Sequence, residues 1–254
     1  MSKVVYIDIG THLGQEYNSL FGSDYNFIVR VIRRLIGYHV FKRGEKFTFK
    51  DFQSIKSLRK KAKEIRKDFL FYFVEANSKI INHENVYNSA HGVFNCALTN
   101  KSAVDITKLY VAKNNPLSHS NSIFETKFKF FGWDINNFVP TVGVPANVFF
   151  HAFKQSVESL NEDYVVILRI NCEGVEDDAI YAAHSCFKDK LVLVSGSLKD
   201  VKICKSEEAY YKMMDYMDIN KLPFVFFSPS TKTWLDAHNS IINAHQNLFN
   251  EFQN

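Results

Sequence analysis

Seven short apolar runs, at residues 4–9, 69–74, 93–98, 106–111, 164–170, 191–194 and 222–227, constrain this chain more than any other feature. They are continuous or nearly so rather than alternating, which is the pattern of strands covered on both faces. Segments of helical period lie between them. The stretch 147–160 sets Val148, Phe149, Ala152, Phe153, Val157 and Leu160 on one stripe, and 176–187 and 207–217 repeat the habit. A last helix at 233–252 turns Leu235, Ile241, Ile242, Ala244, Leu248 and Phe249 inward. Strand–helix alternation of this kind predicts an α/β protein with a doubly wound, mostly parallel sheet of about seven strands. Pro223 cannot donate to a ladder, so its run belongs at a sheet edge or begins at that residue.

The chain's 254 residues suffice for one large core, and a single domain spanning 1–254 with an insertion accommodates them. A hydrophobic content of 46% excludes disorder, and only 10 Gly and 5 Pro exclude a collagen-like or linker-rich chain. No window reaches the roughly 18 uninterrupted apolar residues of a membrane span. The chain enters a strand-like run at once, with no charged-then-apolar leader before it. Cys96, Cys172, Cys186 and Cys204 are widely spaced and form no CxxC pair, as suits reduced thiols. The expectation is a soluble cytoplasmic protein.

One segment breaks the rhythm. Asp8 and Glu75 end the first two strands, yet 66 residues separate them, far more than a crossover needs. We read 17–68 as an inserted basic helical segment. Residues 30–67 hold 14 Lys/Arg and 3 Asp/Glu, a net +11; the whole chain is +4, so the remainder is −7. Within it, 54–67 reads as a helix with Ile55, Leu58, Ala62 and Ile65 on one side. Two readings stand: a solvated face on a helical hairpin, or a surface for an anionic partner. Such a partner is a nucleotide-sugar diphosphate, a phosphorylated glycan, nucleic acid or anionic lipid. Phe41, Phe47, Phe49 and Phe52, interleaved with the cations, are what supports nucleic acid.

The chemistry concentrates where strands end. Val4-Val-Tyr-Ile-Asp8-Ile-Gly10-Thr11-His12-Leu-Gly14 is an apolar strand, an acid, and two glycines four apart before a helix start. In an open parallel sheet the ligand crevice lies at such carboxyl ends, and a glycine there lets backbone approach closely. The spacing departs from GxGxxG and no Walker lysine follows, which weakens the NAD and ATP readings. The second strand closes on Glu75-Ala76-Asn77, where a carboxylate can accept two hydrogen bonds from a ribose diol. The strand at 164–170 runs into Asn171-Cys172-Glu173-Gly174-Val175-Glu176-Asp177-Asp178. Acids in a first helical turn account for Asp177 and Asp178; Asn171 and Glu173 sit at the strand tip.

Together these stretches resemble the FkbM-type methyltransferases. Asp8-Ile-Gly10-Thr11-His12-Leu13-Gly14 is similar to that family's D-x-G-A-N-x-G, with Thr11-His12 in place of Ala-Asn. Glu75-Ala76-Asn77 keeps the acid of E-P-x-P and loses the prolines, and Asn95-Cys96-Ala97-Leu98 resembles the next strand end. Arg169-Ile-Asn171-Cys-Glu173-Gly-Val-Glu176 is similar to K-I-D-x-E-G-x-E. The matching stretches cover about a third of the chain. The resemblance implies a class I, Rossmann-like sheet and S-adenosyl-L-methionine as cofactor, with methyl transfer to a sugar, glycan or natural-product hydroxyl. It implies a cofactor site of Asp8, Gly10, Thr11, His12, Gly14, Glu75, Ala76, Cys96, Ala97 and Asn171. Gly10 and its neighbours would border the methionine moiety, Glu75 the ribose and the Cys96–Leu98 strand end the adenine.

The family has Asp where this chain has Asn171, and an amide positions a substrate but accepts no proton. Glu173, His12 and His119 are the candidates for the base, with Glu173, Asn171 and His12 as the expected catalytic set. No HExxH or other metal spacing occurs, so no metal is expected. His238 and His245 lie seven apart on the last helix, where packing or exposure explains them. The expected partner is a small-molecule or glycan acceptor, with phosphate on it answering the basic insertion. The alternatives are a nucleic-acid methyltransferase working through that insertion and an inactive module that only binds the cofactor.

Overall fold

A computed structural model describes residues 2–39, 48–83, 85–111, 120–226 and 231–251. Among them nine strands form: β1 (Lys3–Ile9), β2 (Phe69–Val74), β3 (Gly92–Phe94), β4 (Ala97–Thr99), β5 (Asp105–Tyr110), β6 (Phe138–Pro145), β7 (Tyr164–Ile170), β8 (Leu191–Gly196) and β9 (Phe224–Phe226). Six make one parallel sheet in the order β3-β2-β1-β7-β8-β9. The chain winds outward from β1 to β3, crosses back, and winds outward again from β7 to β9, an α/β arrangement consistent with a Rossmann-like fold.

Strand alternation divides the core in two. Val5, Ile7 and Ile9 of β1, with Val166, Leu168 and Ile170 of β7, pack under the helices Ala146–Glu158, Glu176–Phe187 and Glu207–Ile219. Val4, Tyr6, Phe69, Phe71, Phe73 and Ile167 point the other way. They meet Tyr17 and Leu20 of the helix Gln15–Leu20, Leu58 and Ala62 of Phe49–Ile65, and Ile241, Ile242 and Leu248 of Thr231–Glu251. Both faces are therefore covered, which is why the strands read as continuous apolar runs.

The main sheet has six strands, fewer than the seven expected, because two predicted runs belong elsewhere. The run at 93–98 breaks at Asn95, whose side-chain amide donates to the carbonyls of Glu75 at 2.8 Å and Ala76 at 3.3 Å. Its halves become β3 and β4, in different sheets. The run at 106–111 becomes β5, half exposed and antiparallel to β6, in a second sheet of order β4-β6-β5. Sequence gave no sign of β6, which carries Pro140, Gly143 and Pro145. Pro140 is tolerated because β4 pairs only with residues 143–145, leaving the far side of Pro140 without a ladder. Pro223 immediately precedes β9, the last strand in the order, as its chemistry requires. On the helix Ala146–Glu158 the inward stripe is Ala146, Phe149, Phe150, Phe153 and Val157, whereas Val148, Ala152 and Leu160 are exposed.

Between β1 and β2 the chain forms the helices Gln15–Leu20, Asp24–His39 and Phe49–Ile65. The last starts five residues before the expected 54, where Thr48 and Asp51 cap each other reciprocally. Arg59 is buried on it and donates to the carbonyls of Asn18, Ser19 and Gly22 at 2.7–2.9 Å, satisfying the end of the first helix. Phe41 and Phe47 lie outside the described residues, as do His119, Phe227 and Phe252.

Candidate functional site

An open parallel sheet leaves a crevice where the winding reverses, outside the carboxyl ends of its strands. Here that point lies between β1 and β7. A pocket opens there, lined by the ends of three neighbouring strands, where ligand sites of such sheets lie. One wall is Ile9, Gly10, Thr11 and His12 after β1; a second is Glu75 and Ala76 after β2; a third is Asn171, Cys172 and Glu173 after β7. The second sheet closes it with Cys96, Ala97, Leu98, Leu109 and residues 121–123.

Gly10 has φ +71°, and a Cβ there would fall 2.0 Å from the carbonyl oxygen of Asn171. The glycine thus lets the ends of β1 and β7 meet and form the pocket floor. Thr11 is buried, its hydroxyl donating to the Asp8 carbonyl at 2.7 Å and bracing the turn. His12 is fixed at both backbone ends: its N–H donates to Glu75 Oε2 at 2.9 Å, and its carbonyl accepts from the Tyr87 hydroxyl at 2.7 Å. Glu75 Oε1 accepts from Asn77 N–H at 2.8 Å. Burial raises the Glu75 carboxyl, and these backbone donors lower it in turn.

Asp8 and Gly14 are not on the pocket wall. Asp8 is fully buried on the opposite sheet face and pairs with Arg169, its register partner on β7, at 2.8 Å. Glu16 holds the other guanidinium nitrogen at 3.1 Å, and the first nitrogen also donates to the Gly10 carbonyl at 2.8 Å. Burial pushes the Asp8 carboxyl up to about 7, opposed by Arg169 and reinforced by Glu16. Gly14 has φ +57° and sits against Val86, where a Cβ would fall 2.4 Å from a methyl carbon. It serves the turn into the first helix.

After β7 the chain is held by carboxylates. Glu176 is fully buried and accepts the N–H of Cys172 at 3.0 Å and of Gly174 at 2.8 Å, shaping the loop between them. Burial pushes its carboxyl up to about 7. Glu173, at φ +63°, pairs with the buried ammonium of Lys127, which also pairs with Asp200 at 2.7 Å. Burial raises the Cys96 thiol to about 11 and Cys172 well above its ordinary value, so both wall cysteines stay protonated at neutral pH. Asn121 has both amide atoms buried and unpaired among the described residues.

The structure therefore brings together Gly10, Thr11, His12, Glu75, Ala76, Cys96, Ala97, Asn171 and Glu173 around one pocket. Arg169, Glu16, Asn121 and Lys127 were not foreseen as site residues. For Arg169 a signal existed: a cation inside a buried strand needs a partner, and Asp8 occupies the equivalent place one strand away. Lys127 offered none, since Lys129 two residues on is exposed. His245 pairs with Asp68 at 3.0 Å and stacks on Phe69 and Phe249, away from the pocket. No group of three His, Cys, Asp or Glu among the described residues is placed to hold a metal ion. No protein-family model matches this chain, and neither a curated protein nor a solved structure matches it.

Proposed function

We propose that the pocket binds S-adenosyl-L-methionine and that the protein is an O-methyltransferase acting on a hydroxyl of a sugar, glycan or related small molecule. The observation that carries this reading is Glu75. It is a buried carboxylate at the end of the second sheet strand, on the wall of a pocket at the sheet's switch point. It takes backbone N–H groups of His12, Asn77 and Ala76, and its remaining lone pairs can accept a vicinal diol such as a ribose. The unpaired Asn121 amide fits as well, because a buried amide without partners is costly until a ligand or water completes it. The choice of S-adenosyl-L-methionine among nucleoside cofactors rests on the motif resemblance.

When bound, the cofactor supplies a methyl group on a sulfonium, activated for in-line displacement. The chain's part is to fix an oxygen in line, exclude water and receive a proton. Asn171 can orient a hydroxyl. Glu173 is engaged by Lys127, which gives that carboxylate a holding role. His12, a residue of the pocket lining, is then the group assigned to take the proton.

Calorimetric titration with S-adenosyl-L-methionine and S-adenosylhomocysteine, with NAD as control, tests the reading. Micromolar binding of the first two is expected, weakened by a factor of about 30 or more in Glu75→Ala as two charge-assisted hydrogen bonds go. His12→Ala is expected to keep binding and to lose about 100-fold in turnover on a hydroxyl acceptor. No binding of either ligand by the wild-type chain overturns the proposal.

A further inference from the structure

The helix Asp24–His39 has apolar side chains on two sides. Phe27 and Val31 are buried against Ile55 and Phe52 of the following helix, which fixes the helix to the body. Tyr25, Ile28, Ile32 and Ile36, spaced three, four and four residues apart, form a second stripe. Their exposures are 76%, 50%, 47% and 44%. Three isoleucines in one exposed line exceed the scattered apolar residues of an ordinary surface and mark a contact site. Phe49, at the start of the next helix, is 72% exposed.

What covers the stripe follows from charge. Residues 30–67 carry the net +11, and Lys56, Lys60 and Lys61 on the neighbouring helix are exposed. Two copies of the chain meeting through this stripe would bring two such cationic segments together, which repulsion disfavours. Nucleic acid satisfies the cations, but its phosphates offer nothing to aliphatic side chains. An anionic bilayer satisfies both, with acyl chains for the isoleucines and headgroups for the cations.

We propose that the helix Asp24–His39 lies flat on an anionic lipid surface, its Tyr25–Ile28–Ile32–Ile36 stripe entering the headgroup–acyl boundary. From Tyr25 to Ile36 the stripe runs about 17 Å along the helix. The protein is thereby peripheral to the membrane, consistent with its having no described helix long and apolar enough to span one. This inference is independent of the proposed reaction.

Flotation of the full chain with vesicles of phosphatidylcholine alone, or mixed with phosphatidylglycerol, is the test. Binding to the mixed vesicles at low salt is expected, with little to the neutral ones. Ile28→Asp/Ile32→Asp is expected to reduce it on the order of tenfold with the unfolding midpoint unchanged. Lys60→Glu/Lys61→Glu is expected to reduce it too and to flatten its salt dependence. Where the aspartate pair lowers the midpoint, Ile28→Ser/Ile32→Ser repeats the comparison without added charge. Absence of wild-type flotation, or flotation indifferent to the isoleucines, overturns the proposal. So does a dimer in light scattering that the isoleucine variants dissolve.

Discussion

A carboxylate inside an apolar strand has to find a cation, and Asp8 finds Arg169 at the same register of the adjacent strand. The pair supports the pocket without lining it as a pair: Arg169 also holds the Gly10 carbonyl, and Gly10 lies on the floor. Removing one partner of a buried pair leaves an uncompensated charge. Arg169→Met is therefore expected to lose about 3–5 kcal/mol in denaturant unfolding. Asp8→Leu/Arg169→Met is expected to recover at least half of that loss, and a double-mutant cycle with no coupling would refute the pairing. At this scale the sequence disclosed which residues matter better than what they do. Gly10 and Asp8 stood out as strand-end chemistry. That the glycine makes room for the Asn171 carbonyl, and that the acid faces away from the pocket, depends on which strands are neighbours.

Among elements, the helix Glu125–Phe130 has more consequence than its six residues suggest. It belongs to the excursion that carries the second sheet, and its Lys127 reaches Glu173 in the loop after β7. Replacing that ammonium leaves Glu173 and Asp200 facing a gap. Lys127→Met is expected to cost about 2–4 kcal/mol. It is also expected to accelerate amide exchange across residues 171–175 while the interiors of β1 and β7 keep their protection. Equal exchange in that loop would mean the ion pair does not hold it. Elements with a strong period were legible: β2, β7 and the helix Glu176–Phe187 have the predicted limits. Those that failed lie in the excursion. There strands are three to eight residues long, one sheet face meets solvent, and prolines sit where no ladder needs their missing N–H.

For the whole molecule, a carboxyl raised by burial sets the direction of one pH response. Glu176 is pushed up to about 7 from its ordinary value of 4.5. Between those limits the folded state binds more protons than the unfolded chain. Its stability contribution is fully present below the unfolded value and is lost as pH rises through about 7. Unfolding free energy measured from pH 5 to 7.5 is expected to fall, and to fall less steeply in Glu176→Gln; a rise would contradict the assignment. The parallel sheet itself, with its apolar strands, helical returns and ligand-bearing ends, was readable because period and punctuation repeat along the chain. Its strand order was not, since β1 pairs with β2 about 65 residues away and with β7 about 161 residues away. That separation also fixes the order in which the protein can be made. At a synthesis rate of about 5–20 residues per second, β1 leaves the ribosome roughly 10–30 s before its second neighbour exists. Through that interval a strand destined for complete burial stays open along one edge, and the nascent chain depends on whatever keeps that edge occupied until residue 170 has emerged.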